Sequence, residues 1–226
     1  MSRSDPDLVA RVRAGHMALM ERIAAAGGDP DAVTVVAVTK GFGPEAVHAA
    51  LEVGIADIGE NYAQEVRAKW PEVSSRVAER APRLHFVGRL QTNKIRQLAG
   101  IVDLYQSVDR PSLMSEIGRR HPGAAVLVQV NVSDEPTKGG CRPDEARSLV
   151  EAGLEAGLSV EGLMAVAGAE PDVAVRRQFD RLVGLSDDLG LAVRSIGMTA
   201  DLELAVAAGS TMVRVGTALF GPRPGR

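Results

Sequence analysis

The sequence predicts a single (β/α)8 barrel of the TIM type, with one extra helix ahead of it. Three observations lead there. Strand and helix signals alternate eight times along the 226 residues. Several strand segments are near-continuous apolar runs, the pattern of a parallel sheet buried on both faces. The eight units also consume the chain, leaving no room for a second domain beside a barrel that usually takes about 250 residues. A doubly wound open sheet is the alternative fold. The division expected is one domain over 1–226, with the N-terminal helix in 1–28 and the barrel in 33–221.

The elements follow in order. In 5–26, Leu8, Val9, Val12, Met17, Leu19, Met20 and Ile23 recur at helical spacing, and Gly27-Gly28 ends the run. The first strand is VTVVAVTK at 33–40, and Pro44 starts a helix to about Val53 at its favoured first position. ADIGEN at 56–61 precedes a helix over 62–79, which Trp70 and Pro71 should interrupt. RLHFVG at 83–88 leads to a helix over 92–99, and VDLYQSVD at 102–109 to one over 111–120 that begins at Pro111. AAVLVQVNV at 124–132 is followed by the loop SDEPTKGGCR and a helix over 143–156. VEGLMAVAG at 160–168, AVRSIGMT at 192–199 and TMVRVG at 211–216 are the last three strands. Their helices are 172–189, 200–208 and a short final turn.

Composition narrows the function. A net charge of −3 gives no basic footprint for nucleic acid. No apolar run approaches the roughly 20 residues that span a bilayer, and the N-terminus lacks the apolar core of a secretory signal. Cys141 is the single cysteine, which excludes an internal disulfide framework and fits a reducing cytoplasm. His16, His48, His85 and His121 share no close spacing, so no metal site is expected. No strong apolar seam lies outside the barrel pattern, so a monomer is expected.

In a barrel, chemistry belongs at the carboxyl ends of the strands. The polar residues there are Lys40, Glu60-Asn61, Arg89-Gln91, Ser107, Asn131, Thr199 and Arg214-Thr217. GFGPEA at 41–46 also matches the dinucleotide pattern G-x-G-x-x-A. Pro44, however, removes an amide that a phosphate would use at that helix start. The acid expected about 20 residues further on would be Glu60, in an unlike Gly-Glu-Asn context. A turn ahead of a proline-started helix accounts for the same glycines.

Lys40 has two readings. At the end of a buried strand a lysine is partly desolvated, which favours the neutral, nucleophilic amine. It would equally serve as a solvated charge at a strand end. Only four of the 26 basic residues are lysines, the others being arginine, so each lysine draws attention where an amine must be neutral. Gly216-Thr217 and Ile196-Gly197-Met198-Thr199 end neighbouring strands and make either a phosphate cup or two ordinary turns. Arg214 interrupts an apolar strand and should point into the barrel mouth, where it needs a ligand ring nitrogen or a carboxylate as partner. Lys69 fits a solvated helix position. Lys94 is structural or phosphate-facing, Lys138 lies in a polar loop, and Cys141 is a loop thiol. The acidic pairs Asp134-Glu135 and Asp187-Asp188 read as solvated charges.

Taken together, VAVTK, DIGENYAQE, LHFVGRLQTNK, SVDR, LVQVNVSDEPTKGG, GLMAV and SIGMTADLELAVAAGSTMVRVGTALFG resemble the pyridoxal phosphate homeostasis proteins. They span about 33–221 in order. The resemblance implies the barrel of the fold-type III pyridoxal phosphate (PLP) enzymes, such as alanine racemase, without its second β-domain. It implies that Lys40 holds PLP as an internal aldimine. Asn61 would sit near the ring or its hydroxyl. Met198, Thr199, Gly216 and Thr217 would hold the phosphate, and Arg214 would face the pyridine nitrogen. Thr199 replaces a usual serine and keeps the hydroxyl, whereas Arg89 replaces a frequent histidine and leaves that loop without a role.

An Arg beside the ring nitrogen keeps it unprotonated, and the ring is then a poor electron sink. Tyr62 and Tyr105 are the only tyrosines, a thin basis for two-base proton transfer. The expected function is PLP homeostasis with little or no turnover, limiting the free aldehyde, with apo PLP-dependent enzymes as candidate recipients. The rivals are a small amino-acid racemase or lyase and a cofactor-free Schiff-base aldolase.

Overall fold

The structure, a computed structural model, describes residues 5–76, 82–133, 135, 138–168 and 170–222. Eight parallel strands close into one barrel in sequence order, the last pairing back onto the first. They are β1 (Thr34–Val38), β2 (Asp57–Glu60), β3 (Arg83–Phe86), β4 (Leu104–Val108), β5 (Ala125–Gln129), β6 (Ser159–Met164), β7 (Val193–Ser195) and β8 (Met212–Val215). The helices are α1 (Pro6–Ala25), α2 (Pro44–Val53), α3 (Ala63–Arg76), α4 (Thr92–Leu98), α5 (Pro111–Arg120), α6 (Ala146–Glu155), α7 (Asp172–Asp188), α8 (Leu202–Ala208) and α9 (Thr217–Phe220).

Local chemistry sets the helix ends. The Asp5 carboxylate caps α1 by accepting the Asp7 amide at 3.0 Å, with Pro6 in the first turn. Pro44 and Pro111 open α2 and α5, and Gly54, at φ 99°, closes α2 in the left-handed conformation.

Strand pleating then sorts the side chains. Val36, Leu104, Leu127, Met164 and Met212 pack together inside the barrel. Alternate residues of the strands, among them Ala37, Ile58, Leu84, Val126 and Val213, face outward into the layer under the helices. The extra helix α1 lies in the outer ring against α2, α8 and α9. A Cβ on its Gly15 would fall on the carbonyl oxygen of Ala218, so only glycine lets α9 approach this closely.

Several boundaries differ from expectation. β1, β5, β6 and β7 stop at Val38, Gln129, Met164 and Ser195, short of 40, 132, 168 and 199. At the mouth the backbone keeps single bonds to its neighbours, such as the Thr39 amide to Gly59 O at 3.0 Å, while turning out of the ladder. The expected interruption of α3 does not occur, because the helix runs through Pro71. Val66 and Val73, both fully buried, pin it on either side, and that packing outweighs one lost backbone bond. The predicted helix end at 77–79 and the start of the loop acid pair at Asp134 lie outside the described residues.

Lys69 is the larger correction. It shares the buried face of α3 with Val66 and Val73 and is only 5% exposed, not solvated. Its Nζ donates to Glu60 Oε1 at 2.5 Å and to the Thr39 carbonyl at 3.0 Å. Glu60 is fully buried and also accepts from Thr39 Oγ1 at 2.5 Å. Burial raises the Glu60 pKa, and the Lys69 ammonium opposes that shift. The pair sits outside the barrel wall and ties together the ends of β1 and β2.

Removing one partner strands a buried charge, so Lys69→Met should lower stability by roughly 3–5 kcal/mol in urea denaturation. Lys69→Met with Glu60→Gln should recover part of that loss. A single variant as stable as wild type would show that the pair contributes nothing.

Candidate functional site

The carboxyl ends of the strands surround a cavity of about 440 Å³. Lys40, Asn61, Met198, Thr199, Arg214, Gly216 and Thr217 all line it, so the seven residues singled out in the sequence meet in one place. Val38, Phe42, Val87 and Val166 supply apolar walls. The mixture of apolar lining and a few convergent polar groups is typical of small-molecule sites of roughly 300–1,000 Å³.

Lys40 follows β1, half-buried, where Gly41 (φ 77°) turns the chain toward α2. The glycine turn makes no phosphate cradle. The Gly41 amide donates to Glu65 Oε2 at 2.9 Å, the Phe42 amide to Thr39 O at 3.1 Å and the Gly43 amide to Glu45 Oε1 at 3.0 Å. Phe42 packs on Phe220, ring centroids 5.4 Å apart, which fastens the turn to α9.

Asn61 follows β2 on the inward face. Its buried Oδ1 has no hydrogen-bond partner among the described residues. A buried acceptor left this way is costly unless something else supplies a donor. Gly88 makes room for it, since a Cβ there would overlap the Asn61 carbonyl.

Arg214 forms the floor, 6% exposed. Nη1 donates to Ser195 O and Ser195 Oγ, each at 2.6 Å, and Nη2 donates to Ala165 O at 2.9 Å. Burial pulls its pKa down to about 10, with Asp201 opposing the shift, so it remains a cation at neutral pH. Sequence reasoning missed what stands behind it. Ser195, Gln106, His85 and Asp57 form a hydrogen-bonded series across the barrel interior.

The opposite wall comes from the loop after β7 and the start of α9. Gly197 (φ 98°) turns the first of these, and a Cβ there would crowd Ala205. The Met198 amide is held by Asp201 Oδ1 at 2.5 Å. The Thr199 carbonyl accepts from Arg22 Nη2 at 2.9 Å, and Arg22 also pairs with Glu203 at 2.6 Å. The extra helix therefore braces this wall, a role with no signal in its amphipathic pattern. At Gly216 a Cβ would come within 3.1 Å of Val38 O.

Other strand-end candidates lie elsewhere. Glu60 faces Lys69, and Ser107 donates to Gly88 O at 2.5 Å. Asn131 organises its own loop through Glu135 O and Ser133. Lys138 pairs with Glu135 at 2.8 Å, and Arg89 is exposed outside the cavity lining. Neither Tyr62 nor Tyr105 lines the cavity.

The family model for the alanine racemase N-terminal domain matches residues 18–224. The pyridoxal phosphate homeostasis protein of Pseudomonas aeruginosa is 39% identical over 213 residues, 91% of each chain. The chain belongs to this family. Among solved structures, a protein of unknown function from Bifidobacterium adolescentis superposes with a TM-score of 0.88 at 32% identity, over 97% of this chain and 98% of that one. PipY of Synechococcus elongatus, solved with PLP bound, superposes with a TM-score of 0.76 at 28% identity, over 90% and 100%. Alanine racemase from Corynebacterium glutamicum matches at 14% identity and a TM-score of 0.71, over 96% of this chain but 62% of its own. At that identity it shows the shared barrel alone.

One residue of this family member has a definite reactivity. Cys141 is 6% exposed, and burial, with Glu145 nearby, pushes its thiol up to about 12. Since the thiolate is the reactive form, Cys141 should resist Ellman's reagent at pH 8 in the folded chain and react promptly in denaturant. Rapid labelling of the native protein would contradict this placement.

Proposed function

We propose that the protein binds PLP at the barrel mouth and serves intracellular PLP homeostasis in the cytoplasm, with little or no turnover. One observation carries the reading: a primary amine, a buried cation and a small-residue loop with two hydroxyls share one cavity. The family relationship and the PLP-bound PipY structure support it.

The residues fit the group. Asn61 Oδ1 lacks a donor, which the phenolic side of a pyridoxal ring can provide. Gly216 lets the start of α9 lie close to the end of β1, since a Cβ there would come within 3.1 Å of Val38 O. Thr199 and Thr217 add hydroxyls, and the first amides of α9 lack partners within the helix. When bound, PLP supplies a reactive aldehyde and an aromatic ring able to take up electron density. Lys40 would supply the primary amine toward that aldehyde. Arg214 would face the ring nitrogen and, as a permanent cation, would disfavour its protonation, which would weaken the ring as an electron sink. With no tyrosine in the cavity lining, proton transfer on both faces of a substrate lacks an evident second group. A chain of this kind holds the aldehyde safely and releases it to apo-enzymes.

Purified protein should be yellow, with a visible band that borohydride bleaches and Lys40→Ala abolishes. Thr199→Ala and Arg214→Ala should each weaken PLP retention about tenfold or more, the loss of roughly one charge-assisted or well-placed hydrogen bond. A colourless protein that takes up no added PLP rejects the proposal. Exchange of the alanine α-proton in deuterated water at an enzyme-like rate would replace it with the racemase reading.

A further inference from the structure

Arg214 is a buried cation whose direct contacts among the described residues are two carbonyls and a hydroxyl, with no carboxylate among them. The groups behind it come from β2, β3, β4 and β7. Ser195 Oγ lies 2.7 Å from Gln106 Oε1, Gln106 Nε2 lies 2.7 Å from His85 Nδ1, and His85 Nε2 lies 2.8 Å from Asp57 Oδ1. Ser195, Gln106 and His85 are essentially inaccessible, whereas the Asp57 side chain is 25% exposed.

The direction of each bond follows from the inventory of donors. A guanidinium only donates, so Ser195 Oγ accepts from Arg214 and passes its one proton to Gln106 Oε1. That turns the Gln106 NH2 toward His85 Nδ1 and toward Met212 Sδ, 3.1 Å away. His85 Nδ1 must then carry a lone pair, which leaves its proton on Nε2, aimed at the Asp57 carboxylate. The opposite amide orientation sets Gln106 Oε1 against the Met212 sulfur. It also leaves either a bare Nε2 facing a carboxylate or a doubly protonated ring.

We propose that Gln106 is a positioning residue for Arg214. It is the turning point of a one-way hydrogen-bond chain, Arg214 to Ser195 to Gln106 to His85 to Asp57. The chain fixes the guanidinium in the cavity floor and links its charge to the Asp57 carboxylate across the barrel. Three of the five guanidinium N–H groups go to protein acceptors among the described residues. The orientation they impose decides where the other two point. The proposal extends the PLP reading but does not need it, since the chain exists without a ligand.

The test uses the full chain labelled with 15N at histidine and arginine, near neutral pH, with no ligand added. Wild type should show His85 with a bare Nδ1 and a protonated Nε2. A proton on Nδ1 overturns the chain. The Arg214 Nη signals should be resolved, reporting a held guanidinium, and should coalesce in Gln106→Leu. Gln106→Glu, which keeps an acceptor but removes the donor, should place a proton on His85 Nδ1. Arg214 signals unchanged in Gln106→Leu reject the positioning role. If that variant does not fold, the wild-type His85 tautomer and Gln106→Glu still decide. With PLP added, Gln106→Leu should retain it about tenfold less well and shift its absorption band. PLP that fails to bind wild type rejects the proposed function and leaves the ligand-free signals to judge the chain.

Discussion

A permanent positive charge sits inside this barrel, and taking a guanidinium out of water is expensive unless every donor is met. Arg214 meets that demand in part, with three of its five N–H groups going to two carbonyls at strand ends and one hydroxyl, and the hydroxyl must itself be oriented. The polar interior of β2, β3, β4 and β7 follows from this one residue. An apolar core would leave the cation uncompensated, and a single adjacent carboxylate would cancel it. A hydrogen-bonded series to a distant, partly wet carboxylate, together with the charge of Asp201, compensates the cation and leaves it available to the cavity. The aliphatic layer of Val36, Leu104, Leu127, Met164 and Met212 shields the series from water.

A second set of contacts works from outside the wall. Lys69 and Glu60 clamp the backbone just before Lys40 and just before Asn61, so the amine and the orphan amide are held by the same buried pair. On the far side Arg22 grips the Thr199 carbonyl, while Gly15 brings α1 against α9. The groups that face the cavity stand on short loops, and loops alone are poor scaffolds. Here each loop is tied from behind by an ion pair or a close backbone approach.

The barrel itself was legible because its signals are redundant: eight alternations of strand and helix, several apolar strand runs, Pro44 and Pro111 at helix starts and Gly27-Gly28 at a helix end all agree. The cavity residues were legible through the rule that chemistry collects at strand ends. What was missed follows from geometry that a linear pattern does not carry. Lys69 was misread because its charge was weighed above its spacing from Val66 and Val73, which put it on the buried face. Pro71 was read by propensity, whereas packing decided the matter. His85 and Gln106 interrupt apolar strands just as Arg214 does in MVRV, so the reasoning that picked out Arg214 applied to them equally. Nothing in one dimension, however, said that residues on β3, β4 and β7 would meet. Arg22 had no signal at all, since its partners lie at the other end of the chain.

That closure has a temporal side. β1 pairs with β8, and the cavity joins Lys40 near the beginning to Arg214 and Thr217 near the end. While the polypeptide emerges from a ribosome, α1 has no α8 or α9 to lie against and β1 lacks one of its two neighbours. Its edge of backbone N–H and C=O groups stays unpaired until β8 is made. The Lys40 amine is therefore made before Arg214 and the loops that face it, and the cavity closes only once β8 and α9 follow.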